Sequence, residues 1–174
     1  MIHQKPDWQK AAEIVRDAGG QIVGRTRLQK VAFLLELAGF GEGFPFEYRH
    51  YGPYSEALAD SIRAASVFDL VDEREQTASW GGMYSIYSAT PEAGLRRDDG
   101  RARFAEAAAS IDSIELELAA TAAFLAAVER SDDPWGETAR RKPEKVEGGR
   151  LDRAKDAYRR LLSLPTSKPL PRIV

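Results

Sequence analysis

The sequence predicts a mainly α-helical fold with a small antiparallel β-sheet, arranged as a winged-helix-like core followed by C-terminal helices. Three observations predict it: three helical patterns before Val67, a long hairpin with a glycine pair near its tip, and renewed helical periodicity from Arg101 onward. Helix, helix, helix, long hairpin, helix is the chain order of a winged helix, with the hairpin as the wing. Residues 1–98 are assigned to this core and residues 99–164 to a helical extension packed on it as one compact domain. Residues 165–174, with three prolines, are expected to form an extended or disordered tail.

The elements follow in order. Asp7 can cap a helix from Trp8 to Ala18, in which Ala11, Ile14, Val15 and Ala18 recur at helical spacing before Gly19-Gly20 stops it. From Thr26 to Ala38, Leu28, Val31, Ala32, Leu35 and Ala38 share a face while Phe33, Leu34 and Leu37 cover much of the rest. This helix is expected at the centre of the core. Phe44, Phe46, Tyr48 and His50 alternate with Pro45, Glu47 and Arg49, a period-two pattern that predicts a short edge strand. Tyr51-Gly52-Pro53-Tyr54-Ser55 then reads as a turn ending in an N-cap, and a helix follows from Glu56 to Ser66 with Leu58, Ile62 and Ala65 inward.

Val67 to Val71 leads into a strand continuing through Glu73, and a second strand runs from Met83 to Ala89. Gln76 to Gly82 links them into one hairpin. Thr90 before Pro91 reads as the N-cap of a short helix. Phe104, Ala107, Ile111, Ile114, Leu118, Thr121, Leu125 and Val128 then alternate by threes and fours; Asp112 with Glu115 can form a capping box that divides this stretch into two helices. A short helix from Trp135 and a last one from Arg150 to Leu164 complete the chain. The apolar face from Phe104 to Val128 must be covered, either by the last helix folding back or by its copy in a homodimer. The expected core of the first unit is Leu28, Val31, Leu35, Leu58, Ile62 and Ile86.

Composition bounds the function. The 174 residues include no cysteine, which excludes a disulfide framework, a thiolate nucleophile and a cysteine zinc site, and agrees with a reducing cytoplasm. The polar N-terminus, with Pro6 and Asp7, lacks the apolar run of a secretory signal, so no export is expected. The longest apolar stretch, around Val31 to Leu35, is far below the roughly 20 residues of a bilayer span, so no membrane is expected as partner. Net charge is −2, so any nucleic-acid binding must come from a local patch.

Catalytic chemistry has little to stand on. Only two histidines are present, His50 and, in a terminus expected to be mobile, His3, so a multi-histidine metal centre is excluded. Gly39, Gly41 and Gly43 lack a Gly-Lys-Ser/Thr ending and follow a helix, so they read as a loop and not as a phosphate cradle. His50, Tyr51, Tyr54, Ser55 and Asp60 can be drawn as an acid–base cluster, but Tyr51 and Tyr54 are equally served by packing at the core edge. Glu56 and Asp60 show no metal-ligand spacing. No cofactor, metal or enzymatic activity is expected.

Gly24 to Lys30 with Phe33-Leu34, followed by Phe46, Tyr48, Tyr51-Gly52-Pro53-Tyr54-Ser55 and Leu58, resembles the YwgA-like family of small bacterial proteins. The match continues through Tyr87, Thr90-Pro91, Gly94, Leu116 to Thr121, Phe124-Leu125 and Lys142-Pro143. That family is similar in organisation to the Panacea domain found in antitoxins such as SocA, which acts as a proteolytic adaptor for its toxin. The resemblance implies a non-enzymatic, antitoxin-like or defence-associated regulatory module whose partner is a protein, such as a toxin or protease system. It carries over no catalytic residue.

The expected partner-binding residues are Tyr51, Gly52, Pro53, Tyr54 and Ser55 in the turn and Trp80 in the wing. The alternative is a winged-helix DNA-binding transcriptional regulator contacting phosphates through Arg25, Arg27, Lys30 and Arg63. Against it, the helix that would read DNA offers Glu56 and Asp60 beside its single Arg63.

Overall fold

Pro6 holds an extended backbone and serves as the N-cap position of α1 (Asp7–Asp17), so Asp7 sits inside the first turn, where the helix dipole favours its charge. The computed structural model describes residues 4–173, and the expectation for His3 lies outside them. After α1, Gln21–Val23 form a strand, β1, which three residues of ordinary composition did not announce. Next come α2 (Arg25–Leu37), β2 (Glu47–Arg49), β3 (Gly52–Tyr54) and α3 (Glu56–Val67). The wing is β4 (Val71–Thr77) and β5 (Met83–Ala89), followed by a 3-10 turn at Pro91–Ala93.

β1, β5 and β4 form an antiparallel sheet in that order, with Ile22 opposite Tyr87 and Glu73 opposite Tyr87 on its other side. Three helices closed by this sheet make the winged-helix-like core the sequence predicts. The second sheet is an insertion between α2 and α3: β2 pairs with β3, with Tyr48 opposite Pro53. The predicted strand from Phe44 is thus shortened to Glu47–Arg49, and three of the five residues of the predicted Tyr51–Ser55 turn are strand. Pro53 tolerates this because a two-stranded ladder leaves each strand an unpaired edge.

Local capping chemistry accounts for many boundaries. Ser55 Oγ accepts from Leu58 N at 3.2 Å, and Thr90 Oγ1 accepts from Glu92 N at 3.3 Å. Asp112 accepts from the amides of Ile114 and Glu115, which splits the C-terminal periodicity into α4 (Gly100–Ala109) and α5 (Ser113–Ala127). Asp133 caps α6 (Pro134–Arg141), with proline at the first position, and α7 (Arg150–Leu162) completes the set. Val67 ends α3 instead of leading into strand, because Asp69 takes a positive φ of 63° and turns the chain.

α2 and α5 are the central helices. Leu28, Val31, Leu35, Leu58 and Ile62 are buried as expected. Ile86 is the exception: pairing with β1 points it to the outer face beside the exposed Val23, and Tyr87 fills the core in its place. Phe104, Ile111, Leu118 and Leu125 are buried within the chain, with α6 and α7 packed against α5; Val128 alone of that face's large side chains is exposed. The tail is irregular but docked: Lys168 N donates to Ala38 O at 2.9 Å, Tyr158 Oη donates to Pro171 O, and Leu170 is buried. Proline-rich composition signalled the missing secondary structure but not this docking. No helix among the described residues is long and apolar enough to cross a membrane.

Candidate functional site: a cleft between wing and hairpin

The β2–β3 hairpin is held from three sides. Gln29, buried on α2, pairs with both backbone groups of Ser55: its Nε2 donates to Ser55 O at 2.9 Å and its Oε1 accepts from Ser55 N at 2.7 Å. Lys30 Nζ donates to Pro53 O at 2.7 Å. From the segment after α6, Lys142 Nζ donates to His50 O at 3.0 Å and to Glu117 Oε1 at 2.8 Å. Arg141 lies over the Tyr48 ring at 4.8 Å and Lys145 over Tyr51 at 4.9 Å. Behind the hairpin, Phe33 packs on Phe46 and Phe124, joining it to α2 and α5.

Thus secured, the hairpin forms one wall of a cleft of about 750 Å³. The other walls are the first turns of α2, the flank of α3 and the inner face of the wing. This size suits a small-molecule or short-peptide site. Leu28, Ile62, Tyr54 and Tyr87 supply apolar surface, and Lys30 lies among the lining residues although the residue is only 1% exposed. Burial pulls the Lys30 pKa down to about 7; Glu117 opposes this, and Lys142 and Lys145 add to it. Burial, helped by Glu73, raises the Tyr87 pKa, so its phenol stays protonated at neutral pH.

The cleft brings together residues that sequence reasoning kept in two separate groups. Tyr51, Gly52 and Tyr54 from the partner set line it, and so do Arg25, Lys30 and Arg63 from the phosphate set. Gly52 is buried with φ +91°; a Cβ there would meet Thr121 Oγ1 at 2.5 Å, so the close approach requires glycine. Pro53 and Ser55 are buried and serve the hairpin and the α3 cap. Trp80 stands apart at the wing tip, 77% exposed, its ring against Gly82 and not on the body. His50 is exposed at the cleft, while Glu56 and Asp60 face outward.

All four phosphate candidates already have partners within the chain. Arg27 Nη1 donates to Ala109 O at 2.7 Å and to Ile111 O, closing the C-terminal end of α4. Lys30 is buried with its ammonium on Pro53 O, and not exposed as a phosphate contact requires. Arg63 pairs with Asp60 on its own helix. Arg25 is exposed but lies 3.3 Å from Glu75 and 3.5 Å from Glu73. Sequence reasoning missed Gln29, Glu117, Thr121 and Lys142 as parts of one arrangement. They belong to the stretches that carry the family resemblance, the one signal that singled them out.

Among the described residues, no three histidine, aspartate or glutamate side chains gather as they would around a metal ion. The chain matches no protein-family model, and no curated protein matches it.

Proposed function

We propose that this protein is an antitoxin-like or defence-associated regulatory module that binds a partner protein through the cleft between wing and hairpin. One observation carries the reading: the cleft combines exposed Tyr51, half-buried Tyr54 and Arg63 on the face a winged helix would otherwise present to DNA. Tyrosine and arginine flanking a concavity are the side chains that anchor protein interfaces. The charge on that face supports the same choice. On α3, Glu56 and Asp60 outnumber Arg63, and on β4, Asp72, Glu73 and Glu75 outnumber Arg74, so these two elements disfavour a phosphate backbone. Arg49 also bridges to Glu56 at 3.2 Å, tying the hairpin to the first turn of α3, the end with which a recognition helix reads bases. The resemblance to the YwgA-like family and the cysteine-free composition support, on this reading, a bacterial cytoplasmic location.

The test is capture from the native host with the wild-type chain and with a Tyr51→Ala/Arg63→Glu variant, both checked for folding. A protein retained by the former and lost by the latter supports the reading. Equal retention by both, or salt-sensitive binding of the native promoter without any such protein, overturns it in favour of another surface or of DNA.

A further inference from the structure

The chemistry at the bottom of the cleft narrows what the partner presents there. Lys30 has three N–H donors when protonated, and among the described residues its hydrogen bond goes to Pro53 O alone, with no carboxylate within ion-pair distance. Beside it, Lys142 and Lys145 converge on one buried carboxylate, Glu117, at 2.7 to 2.8 Å. With Lys30 protonated, three ammonium groups share a single counter-charge at the base of the hairpin, in surroundings that make an unpaired charge expensive. An anion reaching Lys30 from the cleft would relieve this imbalance.

The guanidinium groups around the cleft each have a carboxylate partner already. Arg25 is paired with Glu73 and Glu75, Arg49 with Glu47 and Glu56, and Arg63 with Asp60. A doubly charged phosphate, which favours bidentate arginines, is poorly matched. Glu73 and Glu75 on the wing wall repel a run of acidic side chains, whereas the apolar surface of Leu28, Ile62 and Tyr54 suits an uncharged body. One carboxylate on an apolar end meets all of these conditions, and a chain terminus reaches a closed floor without having to turn back.

We propose that the cleft captures the C-terminal carboxylate of a partner polypeptide ending in an apolar residue, seated against the Lys30 ammonium. This deepens the partner-binding reading and rests on it.

The experiment titrates the wild-type protein with N-acetylated hexapeptides ending in Leu, Phe or Val, each with a free or an amidated C-terminus, and follows backbone amide shifts. Small acids such as phenylacetate form a further arm. Expected is binding of at least one free-acid peptide, with shifts at Gly52 and Tyr54, roughly tenfold or more weakened by amidation. Lys30→Met, which keeps the side-chain length without the charge, is expected to abolish the preference for the free acid. If that variant fails to fold, the free-versus-amidated comparison on the wild type decides alone. Equal binding of both forms, an unchanged preference in folded Lys30→Met, binding of the small acids only, or no binding in any arm overturns the proposal. The two readings fail separately: a host protein lost by Tyr51→Ala/Arg63→Glu keeps the partner reading even where amidation has no effect.

Discussion

Lys30 Nζ donates a 2.7 Å hydrogen bond to the Pro53 carbonyl, so a buried lysine of a central helix fixes the backbone of the hairpin that walls the cleft. Its pKa in the folded protein is about 7, against 10.5 for the unperturbed group, chiefly because burial disfavours the charge; Glu117, Lys142 and Lys145 are the charged neighbours that modify it. Between these values the unfolded chain binds more protons than the folded one, so this residue's contribution makes stability rise with pH. Lys30→Met removes that contribution. Its stability relative to wild type should be highest below pH 7 and should decline toward pH 10.5. Urea denaturation across that window checks this, and a constant difference refutes it.

Gly52 and Thr121 make the second test. Gly52→Ala places a Cβ 2.5 Å from Thr121 Oγ1 at a positive φ, so destabilisation should exceed the roughly 1 to 3 kcal/mol of backbone strain alone. The Thr121 hydroxyl finds no hydrogen-bond partner among the described residues, so Thr121→Ala in the Gly52→Ala background should recover part of the loss. A double-mutant cycle in chemical denaturation measures this. Simple additivity would show that the close approach is not what constrains position 52.

Leu35 and Leu118 are buried on the two central helices. Leu35→Ala should cost about 2 to 5 kcal/mol. Because α6 and α7 already cover α5, Leu118→Glu should unfold the chain and not yield a folded monomer. Sedimentation together with circular dichroism tells these apart; a folded, dissociated Leu118→Glu protein would put an intermolecular seam where the structure has a core.

Binding to random-sequence duplex DNA should be weak even at low salt, because the α3 and β4 faces carry more acid than base. Fluorescence anisotropy over a salt series measures it. A steep salt dependence that is lost in Arg25→Ala/Arg63→Ala would favour the DNA reading instead.

Where local chemistry decides, the sequence was legible. Ser55, Thr90 and Asp112 cap helices as their positions suggested, and the apolar pattern of Leu28, Val31 and Leu35 marks a central helix. Where long-range contacts decide, it was not. β1 and β3 have three residues each, too short for a period, and exist through their pairing partners. Ile86 and Tyr87 exchange their expected faces because β1 sets the register. In the sequence Lys30 and Arg27 are candidate phosphate contacts, and only the packing of α2 against the hairpin and α4 shows that they bind carbonyls. The cleft joins segments from Arg25 to Tyr87, and no local pattern announces a concavity.

The central claim is that the cleft mouth, and not an arbitrary surface, meets a partner protein. Genetic incorporation of a photoreactive phenylalanine analogue tests it in the native host, at Tyr51 on the cleft and separately at Arg103, an exposed position on α4 outside it. A discrete protein adduct is expected at position 51, competed by unmodified protein and absent at position 103. No protein adduct at position 51, or the same adducts at both positions, would contradict it.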